Sequence, residues 1–190
     1  MSTLREEIQK ATEVLQQGGI ILYPTDTIWG IGCDATNAEA VKRIYEIKQR
    51  EDSKSMLVLM NNPNMIERFV EEVPEVAWDL LDVADKPMTI IYPGAKNFAA
   101  NLVAEDRSIG IRLTEEAFSS GLLSRFRKPI VSTSANISGE PSPKNFGEIS
   151  EEIKGLVDYV VDFRRDEVSN PAPSSILKLG VGGEIQILRK

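Results

Sequence analysis

Three observations predict an α/β or α+β chain built on one large mixed sheet. Helical and strand periodicities alternate from end to end. Of the 190 residues 42% are apolar, which suits one real core. The polar stretches 134–145 and 169–173, rich in Pro, Ser and Asn, are too short to divide the chain, so a single domain over residues 1–190 is expected.

Thr3 and Glu6 have the spacing of a capping box, and Leu4, Ile8, Ala11 and Leu15 recur at helical spacing until Gly18 and Gly19 stop the helix. Residues 20–23 then form a short apolar strand broken by Pro24, and residues 29–33 resume it after the polar turn Thr25, Asp26, Thr27. Asn37 caps a helix carrying Ala38, Val41, Ile44 and Ile47, and the polar segment 48–55 leads into a strand at 56–60. Helices are predicted at 63–69 and 74–84, strands at 88–92 and 109–113, and a helix capped by Thr114 and reaching Phe126. Strand patterns follow at 130–133, 157–161, 175–179 and 184–188, with a helix around 146–153. Gly180, Gly182 and Gly183 read as a hairpin turn, and neither they nor Gly30 and Gly32 fit a Walker-type phosphate loop.

The formal charge of -7 argues against a polycation drawn as a whole to nucleic acid, so any anion site must be local. With no histidine and one cysteine, Cys33, the chain lacks the parts for His-dependent triads, His metal ligation, structural zinc clusters and disulfide frameworks. No apolar run approaches the roughly 20 residues of a membrane helix, and the polar start predicts a cytoplasmic protein without membrane attachment.

The groups left for chemistry suit anions. Lys48, Arg50 and Lys54 share one polar segment between a helix and a strand, where they either aim at phosphate oxygens or form a solvated charge run with Glu51 and Asp52. Arg112 lies inside a strand pattern and must meet an anionic ligand or an internal carboxylate. Ser132, Thr133, Ser134 and Asn136 emerge at the carboxyl end of an apolar strand, where α/β sheets bind ligands. A turn whose Ser and Asn side chains cap their own backbone fits equally well. Ser174 and Ser175 after Pro173 are either a hydroxyl pair or a plain strand start, and Lys144 and Arg189 are loop and terminal cations.

Several of these residues form a pattern. Tyr23-Pro24-Thr25-Asp26-Thr27 followed by Trp29-Gly30-Ile31-Gly32 resembles the opening motif of the YrdC/TsaC family of threonylcarbamoyl-AMP synthases. Lys48-Gln49-Arg50 is similar to its K-x-R motif, Ser134-Ala135-Asn136 to its S-x-N motif, Pro173-Ser174-Ser175-Ile176 to its late P-S-T-I segment, and Arg189 to its terminal arginine. The resemblance spans Gly18 to Arg189 and covers the synthase domain.

The resemblance implies a twisted mixed sheet with flanking helices and a concave, basic cleft. It implies an enzyme, a nucleotidyltransferase that condenses L-threonine, bicarbonate and ATP, with magnesium, into threonylcarbamoyl-AMP and pyrophosphate. The product would pass to a tRNA-modifying transferase. By position, Thr27, Arg112, Ser134, Ser174 and Ser175 resemble the threonine-binding set. Lys48, Arg50, Lys54, Ser108, Asn136, Lys144 and Arg189 resemble the ATP-binding set, and Lys48, Arg50, Ser134 and Asn136 the catalytic motifs. No metal site or structural metal is expected, although Asp26 could help hold magnesium or orient a hydroxyl. An RNA-binding module of the same shape, with weak RNA affinity, and a paralogue acting on another carbamoyl or acyl adenylate are the alternatives.

Overall fold

The computed structural model describes residues 2–49, 56–168 and 172–190. Helix α1, Leu4–Gln16, starts at the expected reciprocal cap: the Thr3 hydroxyl accepts from the Glu6 amide at 3.3 Å, and the Glu6 carboxylate accepts from the Thr3 amide at 2.8 Å. Its buried face carries Ala11 and Leu15 and packs on α5, Ala117–Phe126. Gly121 makes that approach close, because a Cβ there would lie 2.5 Å from the Ile8 Cδ1. The remaining helices are α2 (Ala38–Lys48), α3 (Ile66–Phe69), α4 (Glu75–Val83) and α6 (Glu151–Leu156).

The strands are β1 (Ile21–Tyr23), β2 (Gly30–Gly32), β3 (Leu57–Met60), β4 (Met88–Tyr92), β5 (Ile109–Leu113), β6 (Ile130–Ser134), β7 (Tyr159–Val160), β8 (Ser175–Leu179) and β9 (Ile185–Arg189). Among the described residues they make one nine-stranded sheet in the order β7-β1-β2-β6-β3-β5-β4-β8-β9. β7 and β1, β3 and β5, and β4 and β8 pair in parallel, and the other neighbours are antiparallel. The expected mixed sheet with flanking helices is therefore present. Fully buried Ile21, Leu22, Ile31, Val58, Ile90 and Val131 occupy its centre, so several strands read as continuous apolar runs rather than alternating ones. At Gly32 a Cβ would sit 2.5 Å from the Val131 carbonyl oxygen and 2.6 Å from the Tyr23 ring, so β2 approaches its neighbours this closely only with glycine.

Four local expectations change. Thr114 does not cap α5: its amide still donates to the Met60 carbonyl at 2.9 Å, an extension of the sheet, and the Glu116 carboxylate caps instead, accepting from the Phe118 and Ser119 amides at 3.1 and 2.8 Å. The helix expected at 146–153 is split. A 3-10 turn, Phe146–Glu148, precedes α6, which starts anew at the Ser150 cap. The strand at 157–161 shortens to β7, and 63–69 begins as a 3-10 turn at Pro63–Met65 before α3. The hairpin between β8 and β9 forms as expected, with Gly183 at φ 84°.

Candidate active site

Pro24 ends β1, and the loop to β2 folds on itself. The Thr25 hydroxyl donates to the Ile28 carbonyl at 2.6 Å and accepts from the Thr27 amide at 3.1 Å. That turn places the Thr27 hydroxyl where it accepts a 3.3 Å hydrogen bond from the Arg112 Nη2. Arg112 comes from β5, is 4% exposed, and forms an ion pair of 2.9 Å with the Asp26 Oδ1. Its Nε is buried and has no hydrogen-bond partner among the described residues. Burial pushes the Asp26 carboxyl above its ordinary range, with the Arg112 charge opposing that shift. The internal-carboxylate alternative for Arg112 is the one present: Asp26 pairs one end of the guanidinium, and the Nε at the other end is left without a partner among the described residues.

A second guanidinium faces the same hollow. Arg189, on β9, donates from Nε to the Ser174 carbonyl at 2.7 Å and from Nη2 to the Ser174 hydroxyl at 3.2 Å. That hydroxyl also lies 3.0 Å from the Thr89 Oγ1. Partial burial lowers the pKa of Arg189, and the nearby Arg112 charge adds to that shift. Between them lies a cleft of about 670 Å³, into which Thr27, Trp29, Ser134, Ser174 and Ile176 also project. A second hollow of about 570 Å³ adjoins it through Met56, Leu57 and Ile176, and Ser108 lines that one.

The sequence-selected residues divide accordingly. Thr27, Arg112, Ser134, Ser174 and Arg189 converge on the cleft. Ser175 does not line it: Ser174 and Ile176 project into the cleft, and strand alternation turns the residue between them to the other face. Lys48, expected to face phosphate, is buried behind the S-x-N turn, where its ammonium donates to the Ser134 and Asn136 carbonyls at 2.6 and 2.7 Å. Asn136 donates to the Ile137 and Glu140 carbonyls, both at 2.9 Å, while its buried Oδ1 has no partner among the described residues. The turn alternative for this segment is therefore realised beside the cleft. The Ser108 hydroxyl donates to the Asp106 Oδ1 at 2.5 Å. Lys144 is exposed at a small neighbouring recess that Thr27 and Trp29 also line. Arg50 and Lys54 lie outside the described residues.

Asp26, which could help hold magnesium or orient a hydroxyl, forms an ion pair with Arg112. Among the described residues no three His, Cys, Asp or Glu side chains gather to hold a metal ion. The Thr89 contribution was missed, although a lone threonine between Met88 and Ile90 in an apolar strand is the kind of polar insertion that marks such a position.

Two guanidiniums, several hydroxyls and a buried donor without a partner among the described residues thus gather at one cleft of the sheet. The family model Sua5/YciO/YrdC, described as "Telomere recombination", matches residues 13–190, and the chain belongs to that family. It is 36% identical over 179 residues to the putative threonylcarbamoyl-AMP synthase of Methanocaldococcus jannaschii, covering 92% of this chain and 83% of the relative. It is 30% identical over 181 residues to the threonylcarbamoyl-AMP synthase of Pseudoalteromonas translucida, covering 94% and 95%. In three dimensions it is similar to P. abyssi Sua5 complexed with L-threonine, with a TM-score of 0.85 at 24% identity over 94% of this chain. The chain spans about half the length of that Sua5 protein, at 52%.

Proposed function

We propose that this protein is a threonylcarbamoyl-AMP synthase, with L-threonine, bicarbonate and ATP as substrates. The observation that carries this reading is the pair Arg112 and Arg189, two guanidiniums that line one cleft together with the hydroxyl residues Thr27, Ser134 and Ser174. Each substrate brings an anionic group, the carboxylate of zwitterionic threonine, bicarbonate itself and the triphosphate of ATP, and fixed cations offset the repulsion among them. Two relatives of similar length carry the synthase name, and the P. abyssi neighbour binds L-threonine.

In this reading the threonine carboxylate meets the free Nε edge of Arg112, and the Thr27 and Ser174 hydroxyls bracket the amino acid. The triphosphate lies toward Ser134 and Arg189, which line the cleft, with Asn136 in the turn that follows Ser134, Lys144 at the neighbouring recess, Ser108 in the adjoining hollow, and Arg50 and Lys54 as further cations. Lys48 acts through the turn that it holds. The threonine ammonium first gives up a proton to solvent. The free amine then attacks the carbon of bicarbonate, whose C–OH bond breaks with loss of water, or that of carbon dioxide, with loss of a second proton from nitrogen, to give a carbamate. A carbamate oxygen then attacks the α-phosphorus, and the bond to the pyrophosphate leaving group breaks. No protein nucleophile takes part, so positioning and electrostatic stabilisation supply the catalysis. Magnesium would enter with ATP and would take up part of the phosphate charge.

The product is unstable outside a protein and is handed to a tRNA-modifying transferase in the cytoplasm. No helix among the described residues is long and apolar enough to cross a membrane. The test is pyrophosphate release from ATP. It should require both threonine and bicarbonate, and release that continues without threonine, or none at all, would overturn the proposal.

A further inference from the structure

Arg164 plays no part in the proposed chemistry, yet it touches the loop that presents Thr27. Its Nη1 donates to the Thr25 carbonyl at 3.1 Å and to the Glu116 Oε1 at 3.1 Å, while its Nε and Nη2 both reach the Glu167 Oε2 at 2.7 Å. Its backbone is left-handed at φ 60°, a conformation that a non-glycine residue adopts only where its surroundings impose it. Glu116 is already fixed, because its carboxylate caps α5. One turn into α5, the Ser119 hydroxyl donates to the Pro24 carbonyl at 3.1 Å. The start of the loop is therefore anchored at two successive carbonyls, Pro24 by Ser119 and Thr25 by Arg164. Thr25 in turn orients Thr27 through its hydroxyl, and Thr27 meets Arg112.

We infer that Arg164 is a positioning residue for amino-acid recognition: it clamps the Thr25 carbonyl to α5 and so fixes where the Thr27 hydroxyl and the Arg112–Asp26 pair stand. The segment that carries it is rigidly held. The Arg165 guanidinium donates to the Val161 and Val160 carbonyls at 2.9 and 2.7 Å, and the Asp162 amide donates to the buried Glu7 carboxylate at 2.7 Å. Arginine suits the role because one planar fork serves the carbonyl and two carboxylates together. Arg164 shares the small recess with Lys144, but none of its described hydrogen bonds is with Ser134, Asn136, Lys144 or Arg189 on the nucleotide side, so the clamp bears on the Thr27 side of the cleft.

The inference rests on the proposed synthase activity, and steady-state kinetics of the full chain separate the two. R164A is expected to raise the threonine KM about tenfold while the ATP KM and kcat stay within about twofold, the effect of loosening one charged hydrogen bond beside the binding loop. R164K should recover part of the loss, since an ammonium reaches the carbonyl but not all three partners. E167Q, which weakens only the exposed side of the fork and leaves folding intact, should raise the threonine KM about twofold to threefold and serves if R164A does not fold. Wild-type protein without threonine-dependent turnover would remove the synthase reading and this inference with it. Wild-type turnover with an unchanged threonine KM in both variants, or with threonine and ATP KM rising together, would overturn the inference alone.

Discussion

The Arg112 Nη2 stands 2.9 Å from the Asp26 Oδ1, while the Nε of the same guanidinium is buried with no partner among the described residues. The pair holds the arginine in place by one end and leaves the other for an anion. Lysine at this position offers a point charge that cannot serve both ends. R112K should therefore raise the threonine KM by at least about tenfold, with a much smaller effect on ATP, as measured by pyrophosphate release at varied threonine.

Lys48 distinguishes support from contact. Its buried ammonium satisfies two carbonyls of the turn that follows β6, and alanine would leave both without their charged donor. A loss of about 2 kcal/mol is expected for K48A, lowering the melting temperature by about 4–8 °C. Thermal denaturation checks this, and an unchanged melting temperature with lost turnover would instead mark Lys48 as a direct phosphate ligand.

Adjacent serines should behave differently. Ser174 is joined to Arg189 and Thr89 and faces the cleft, whereas Ser175 alternates to the opposite side. S174A is expected to lower kcat/KM for threonine about tenfold, and S175A to stay within about twofold, in parallel kinetic assays.

Acid titration tests the rim beside Ser108. Lys178 and the Ser108 hydroxyl hold Asp106 down to about 2 from an ordinary 3.8. A carboxylate with a depressed folded pKa contributes stability that is fully present above its unfolded value and is lost as pH falls through the folded one. The wild-type advantage over D106N should hold at pH 5 and fade between about pH 4 and pH 2, as read by denaturant titrations. An advantage independent of pH would contradict the assignment.

Much of this architecture was legible in the residues because local rules decided it. The Thr3 and Glu6 cap, the Asn37 cap, the break at Pro24 and the Gly183 turn depend on short-range chemistry. The cap of α5 was not legible, because Thr114 still belongs to the sheet through Met60, a residue far away in the chain. Site residues followed the same division. Arg112 was visible as a charge inside an apolar strand, and its need for a partner followed from burial. That the partner is Asp26, that Lys48 turns away to hold main-chain carbonyls, and that Ser174 rather than Ser175 faces the cleft depend on register and packing across distant strands.

The most direct test follows the carbon atom. With carbon-13 bicarbonate, ATP and L-threonine, NMR and mass spectrometry should show the label in a carbamoyl group joined to both threonine and AMP, with one pyrophosphate released per product. Pyrophosphate formed while the label stays in bicarbonate, or label joined to AMP when threonine is omitted, would contradict the account.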